Sequence, residues 1–258
     1  MHIETALEQF LNKKVDEYNQ PFFIEADPIC IPHQFSQKAD IEIAGFFAAI
    51  FAWGNRTTII NKSNVLLQLM DNAPHQFCTQ HQPSDLKKLL HFKHRTFNTT
   101  DLLYFIEFFK MHYSNYNSLE YAFTKQHQPT NPTIEAALNG FYTYFFSLEI
   151  VPKRTLKHIA APFKKASCKR LCMYLRWMVR NDNKGVDFGI WQQITPAQLV
   201  IPLDVHVARV ARHFKLIDRK PTDWQAALQL TAAMQQLDNN DPAKYDFALF
   251  ALGVLEKY

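Results

Sequence analysis

The sequence predicts an all-α fold. Apolar residues recur at three- and four-residue intervals along most of the chain, alternating strand patterns are hard to find, and only six of 258 residues are glycine. With 47% hydrophobic and 20% charged residues, the chain has enough apolar side chains to bury a core. No biased tract points to disorder.

The elements follow in order. Residues 3–18 read as an amphipathic first helix. A connector from Gln20 to Phe35 contains Asp27-Pro28 and Ile31-Pro32. Residues 41–53 are apolar on most faces and predict a buried central helix, broken at Gly54-Asn55. Asn55 can cap a helix over about 57–70, which Asp71-Asn72-Ala73-Pro74 ends. Thr100 or Asp101 opens an aromatic helix over 102–112, and Thr133 opens another with Ala137, Leu138, Phe141, Tyr144 and Phe145 on its apolar face. Residues 166–180 form a basic helix whose apolar members are Leu171, Tyr174, Leu175 and Met178. A polar loop, 181–189, follows. Pro202 discourages helix, Asp204 is a good N-cap, and Val207, Val210, Ala211 and Phe214 continue the helical spacing. Thr222-Asp223-Trp224 opens a long helix to Leu237. Asp241, as N-cap with Pro242 at the first helical position, starts the last one. The predicted organisation is one two-lobed domain over 1–258: a central lobe, 40–190, and a second lobe built from 1–39 plus 191–258.

Charge is unevenly placed. From Lys153 to Arg180 there are nine Lys or Arg and no Asp or Glu, so this segment carries +9 and the rest of a +4 chain sums to −5. Local cation density governs phosphate binding more than the global sum; a solvated basic face is the plain alternative. Asp204, an isolated carboxylate just downstream, is either a helix cap alone or a group aimed into a cleft. His206 reads as a buried structural histidine. Cys30, Cys78, Cys168 and Cys172 form no C-x-x-C, so neither a zinc ribbon nor an iron–sulfur loop is expected. No metal and no cofactor is predicted. Four unframed thiols fit a reducing compartment. The longest apolar stretch, 41–53, is interrupted by Glu42 and too short to span a bilayer, and the N-terminus lacks a signal-peptide pattern. The expectation is a cytoplasmic, nucleoid-associated monomer without membrane partners.

Ile201-Pro202-Leu203-Asp204-Val205-His206-Val207-Ala208-Arg209-Val210-Ala211 resembles the catalytic-aspartate segment of the helix-hairpin-helix DNA glycosylase superfamily, which includes the endonuclease III and 8-oxoguanine glycosylase groups. Lys169, in Ser167-Cys168-Lys169-Arg170-Leu171, falls where lyase-competent members carry their Schiff-base lysine. Ala52-Trp53-Gly54-Asn55-Arg56-Thr57-Thr58-Ile59-Ile60 resembles the helix–turn–helix corner from which a polar side chain, here at the position of Asn55, enters the space left by an extruded base. The three segments occur in the family's order, so the resemblance covers roughly 40–215. The C-terminal stretch from Asp241 to Phe250 is similar to that of a little-characterised bacterial branch. Two departures stand out. The family hairpin carries Leu-Pro-Gly-x-Gly, whereas Ile159 to Ser167 here contains no glycine. Lys169 and Asp204 are 35 residues apart (204 − 169), longer than in the common groups and similar to an archaeal 8-oxoguanine group.

The resemblance implies a two-lobed helical glycosylase fold with an atypical hairpin and, as partner, double-stranded DNA holding a damaged base. Asp204 would stabilise oxocarbenium charge at C1′, and Lys169 would attack C1′ and nick the strand through a Schiff base. Asn55, Arg56, Lys164, Lys165, Ser167 and Arg170 would contact DNA. Trp53, Trp177, Phe188 and Trp191 are candidates for stacking on the flipped base. An oxidised purine is the first substrate expected. The competing readings are a nucleic-acid-binding module that has lost catalysis, which the glycine-free hairpin favours, and a helical protein–protein scaffold.

Overall fold

The computed structural model describes residues 3–258 and is, among these, mostly helical, with a single two-stranded hairpin. In chain order the helices are α1 (Thr5–Tyr18), the short turn α2 (Phe22–Glu25), α3 (Lys38–Phe51), α4 (Arg56–Leu69), α5 (Pro74–Gln80), α6 (Pro83–Leu86), α7 (Thr99–Tyr113), α8 (Glu120–Thr124), α9 (Glu135–Phe145), α10 (Lys169–Val179), α11 (Val205–His213), α12 (Trp224–Gln235) and α13 (Tyr245–Val254). The strands β1 (Lys93–His94) and β2 (Phe97–Asn98) pair antiparallel before α7. They are absent from the sequence reading because two residues are too few to show alternation. No helix among the described residues is long and apolar enough to cross a membrane.

The chain divides into two compact units. A central unit comprises 26–126 and 140–159; a flanking unit comprises the residues up to Glu25 together with 127–139 and 160–258. The division falls elsewhere than 40–190 against the rest. The segment 160–168 and α10 belong with the C-terminal elements because their partners lie there: Ala166 bridges Asp223, and Arg176 pairs with Asp246.

In the central unit α3 is buried from Ile41 to Phe51, as its uniformly apolar sequence requires. Phe46 meets the ring of Phe109 edge-on at 5.6 Å, and Phe47 stacks on Phe105 at 5.9 Å. Each such pair contributes about 0.5–1.5 kcal/mol beyond its buried area. Glu42, fully buried in this helix, accepts hydrogen bonds from Tyr113 Oη (2.9 Å), Ser118 Oγ (2.6 Å) and the Leu119 amide (3.0 Å). The cap of α7 is Asn98, not Thr100 or Asp101. Asp101 is the reciprocal partner, reaching back to the Asn98 amide. Its fully buried carboxylate also binds Thr155 Oγ1 at 2.8 Å and His158 Nε2 at 3.2 Å.

In the flanking unit α13 packs on both α1 and α11. A Cβ at Gly253 would lie 3.0 Å from the His206 carbonyl, so the missing side chain permits the α11–α13 approach. The C-terminal half of α10 corrects the view of a continuous basic face. Arg176 is 3% exposed and pairs with Asp187 and Asp246; Arg180 is 2% exposed and pairs with Asp182, Asp187 and Asp241. Both guanidinium groups lie over the Phe247 ring, at 4.3 and 5.5 Å. Because Arg180 takes the Asp241 carboxylate, that side chain does not cap; a 3-10 turn (Pro242–Lys244) leads into α13 instead.

Candidate active site

Asp204 has extended backbone (φ −115°, ψ −173°), and its Oδ1 accepts the His206 amide at 2.9 Å and the Val207 amide at 3.0 Å. That satisfies two of the donors left open at the start of α11. The other oxygen, Oδ2, lies 4.0 Å from Lys169 Nζ, and the two side chains are 24% and 23% exposed. One carboxylate therefore caps a helix through one oxygen and meets an amine through the other.

Lys169 opens α10. Cys168 before it is left-handed (φ +55°) and makes no side-chain cap. Lys169 Nζ also donates to Met173 Sδ, 3.7 Å away and one turn on. On the same helix Arg176 grips Asp246, a buried residue on the first turn of α13. Burial pushes the Asp246 carboxyl up to about 6, against the pull of Arg176 and Lys169, and Asp204 adds to the rise. Lys169 thus sits within the field of two carboxylates, one partly exposed and one buried. The cluster can hold an amine and carboxylates close to a developing positive charge.

The glycine-free segment 159–167 contains one residue in a conformation that favours glycine. After the 3-10 turn Pro162–Lys164, Lys165 is left-handed (φ +61°), the conformation glycine adopts without strain. Lys164 and Lys165 are exposed, and Phe163 is 57% exposed. Ser167 is half-buried. Arg170 is also half-buried, and desolvation lowers the affinity of its guanidinium for protons.

The proposed gap residues lie in the central unit. Asn55 is exposed and caps α4, accepting the Thr58 amide at 3.1 Å; Arg56 is half-buried. Gly54 has φ +101°, and a Cβ there would collide with the guanidinium of Arg95, which lies 5.2 Å from the centre of the half-exposed Trp53 ring. Arg95 stands at the tip of the β1–β2 hairpin, itself left-handed at φ +53°. His94 Nε2 ties the hairpin to the Phe51 carbonyl at 3.1 Å, and Arg154 binds the Thr96 carbonyl at 2.7 Å.

Of the four candidate stacking residues, two are core. Trp177 is fully buried and Trp191 is 2% exposed, packed edge-on to Tyr174 at 5.5 Å. Neither can receive a base. Phe188 is half-buried, its amide bonded to the Trp177 carbonyl. His206 is exposed rather than buried, because it lies on the outer face of the first turn of α11. No group of three or more potential metal ligands occurs among the described residues.

Sequence reading missed Asp246 and Arg95. Asp246 carried a usable signal, a carboxylate inside the apolar run Tyr245–Leu249. Arg95 carried none, since its position depends on a two-residue strand pair. The chain belongs to a family described as protein of unknown function (DUF2400), whose model matches residues 27–255. Comparison with curated proteins and with solved structures returned no match.

Proposed function

We propose that the protein is a DNA base-excision glycosylase with lyase capability, acting on a flipped, damaged base through Lys169 and Asp204. The observation that carries this reading is the 4.0 Å approach of Lys169 Nζ to Asp204 Oδ2 between residues 35 apart in sequence (204 − 169), at the starts of two different helices. In the proposed reaction the C1′–N bond breaks and the base leaves with the bonding electrons and a proton. Asp204 stabilises the positive sugar, and the neutral amine of Lys169 bonds to C1′, losing its proton to a carboxylate or water. Opening of the sugar ring gives the Schiff base, and loss of the C2′ proton with departure of the 3′-phosphate nicks the strand. Exposed Lys164 and Lys165 supply phosphate contacts. An oxidised purine is the first substrate to test, on resemblance.

The test is borohydride trapping on duplexes containing 8-oxoguanine, uracil, thymine glycol or an abasic site. A covalent adduct that disappears in Lys169→Ala supports the reading. Salt-sensitive duplex binding without excision or trapping on any substrate would replace it with a binding module, a second reading favoured by the absence of glycine from Ile159 to Ser167. Absence of binding at low salt would sink both.

A further inference from the structure

The central unit contains a cleft of about 720 Å³ with no part in the chemistry above. Its walls come from the start of α5, the end of α7, the turn after it and the start of α8: His75, Tyr113, Asn115, Tyr116, Asn117 and Tyr121. We propose that this cleft binds an unpaired nucleobase, with adenine the best match.

The lining is aromatic and amide-bearing, and no Lys, Arg, Asp or Glu lines it. A bare anion or metal ion would find no countercharge there, whereas a planar, neutral, hydrogen-bonding ligand suits such walls. Its volume lies within the range of about 300–1,000 Å³ typical of small-molecule sites. Tyr121 is 40% exposed, offering a ring face, and its ring lies 5.6 Å from that of Tyr116. His75 meets Tyr113 edge-on at 4.8 Å. Bases stack on such surfaces with little regard to sequence.

The walls are pre-set rather than loose. Tyr113 Oη is held by buried Glu42 at 2.9 Å, and the His75 amide by Asp40 at 2.9 Å. Asn115 spends its Nδ2 on the Met111 carbonyl at 2.8 Å, leaving Asn117 as the amide able to donate and accept together. That is the pairing an asparagine makes with N6 and N7 of adenine. Lys125 Nζ, 4.9 Å from the centre of the Tyr116 ring and 4.0 Å from that of Tyr144, suits a phosphate at the mouth.

The base could belong to a free nucleoside or to a single strand, and both arms are tested with the full-length chain. Calorimetric titration with adenosine, AMP, a short oligo(dA) and methyl glucoside uses undamaged ligands, so its outcome stands apart from any excision assay. Saturable adenosine binding, weakened at least about fivefold in both Tyr121→Ala and Asn117→Ala, supports the proposal. Oligo(dA) binding more tightly than AMP assigns the site to a strand; adenosine binding without oligo(dA) assigns it to a free nucleoside. Two results overturn it: no saturable binding of any nucleoside or strand, glucoside binding alone included, and adenosine binding unchanged in both variants. Retained far-UV circular dichroism confirms that each variant is folded.

Discussion

Replacing Asp204 by Asn and by Ala separates its two roles. Asn keeps an oxygen for the His206 and Val207 amides and caps a helix about as well as Asp, so Asp204→Asn is expected to lose only the ion pair, about 1 kcal/mol or less. Asp204→Ala loses the cap as well, at about 1 kcal/mol. The charge is lost in both. At the observed 4.0 Å, the Lys169–Asp204 attraction is about 4 kcal/mol at an effective dielectric of about 20, and solvent contact of both side chains cuts its net worth to about 1 kcal/mol or less. The larger effect belongs to the reaction. A carboxylate facing charge that develops only in the transition state is worth about as much as an oxyanion-hole donor, roughly 10²–10³-fold in rate. Urea denaturation and single-turnover excision on the same three proteins read both quantities. Asp204→Asn that cuts nearly as fast as wild type removes the carboxylate from the chemistry. Asp204→Asn as unstable as Asp204→Ala refutes the cap reasoning.

Other perturbations have comparably definite outcomes. Burial pushes the Asp101 carboxyl upward, but hydrogen bonds from His158, the Asn98 amide and Thr155 outweigh it and bring it down to about 2. A carboxyl lowered from 3.8 to about 2 contributes about 2 kcal/mol that is present above pH 3.8 and lost as pH falls toward 2. Asp101→Asn is therefore expected to be about 2 kcal/mol less stable at pH 7, with the gap to wild type closing in acid; a gap that stays constant with pH contradicts this. Gly54→Ala, at φ +101° and against Arg95, is expected to lose about 2 kcal/mol, seen as a lower denaturation midpoint at unchanged slope. Lys165→Gly relieves a left-handed lysine and is expected to gain about 1 kcal/mol while lowering the salt dependence of DNA binding by about one counterion. A less stable Lys165→Gly would mean that the left-handed lysine is not strained.

The helices and the Asp204 cap were legible because both rest on local rules, spacing and a polar residue before an apolar run. The fate of the arginines on α10 was not. Arg176 and Arg180 look like their neighbours Lys164 and Lys165 in a charge count, but the carboxylates that bury them come from Asp187, Asp241 and Asp246, 7 to 70 residues further on. The same long-range pairing removed Asp241 from its expected capping role. Trp177 stood among the stacking candidates because a sequence does not tell which of many aromatics in a helical chain reach the surface, and the structure buries it fully. Lys169 was singled out only by the family resemblance, since the apolar spacing set it inside a helix over 166–180, three residues ahead of the observed start of α10.

The ion pairs of α10 are not spread along it. Its second half is clamped by two arginines and four aspartates, while its first turn starts at an uncapped, left-handed Cys168. Amide exchange should therefore be graded, slow from Arg176 onward and fast before Leu171. The ion pairs thus anchor the end of the helix away from Lys169, whose own placement rests on the buried Leu171, Cys172 and Tyr174 and on its 4.0 Å contact with Asp204.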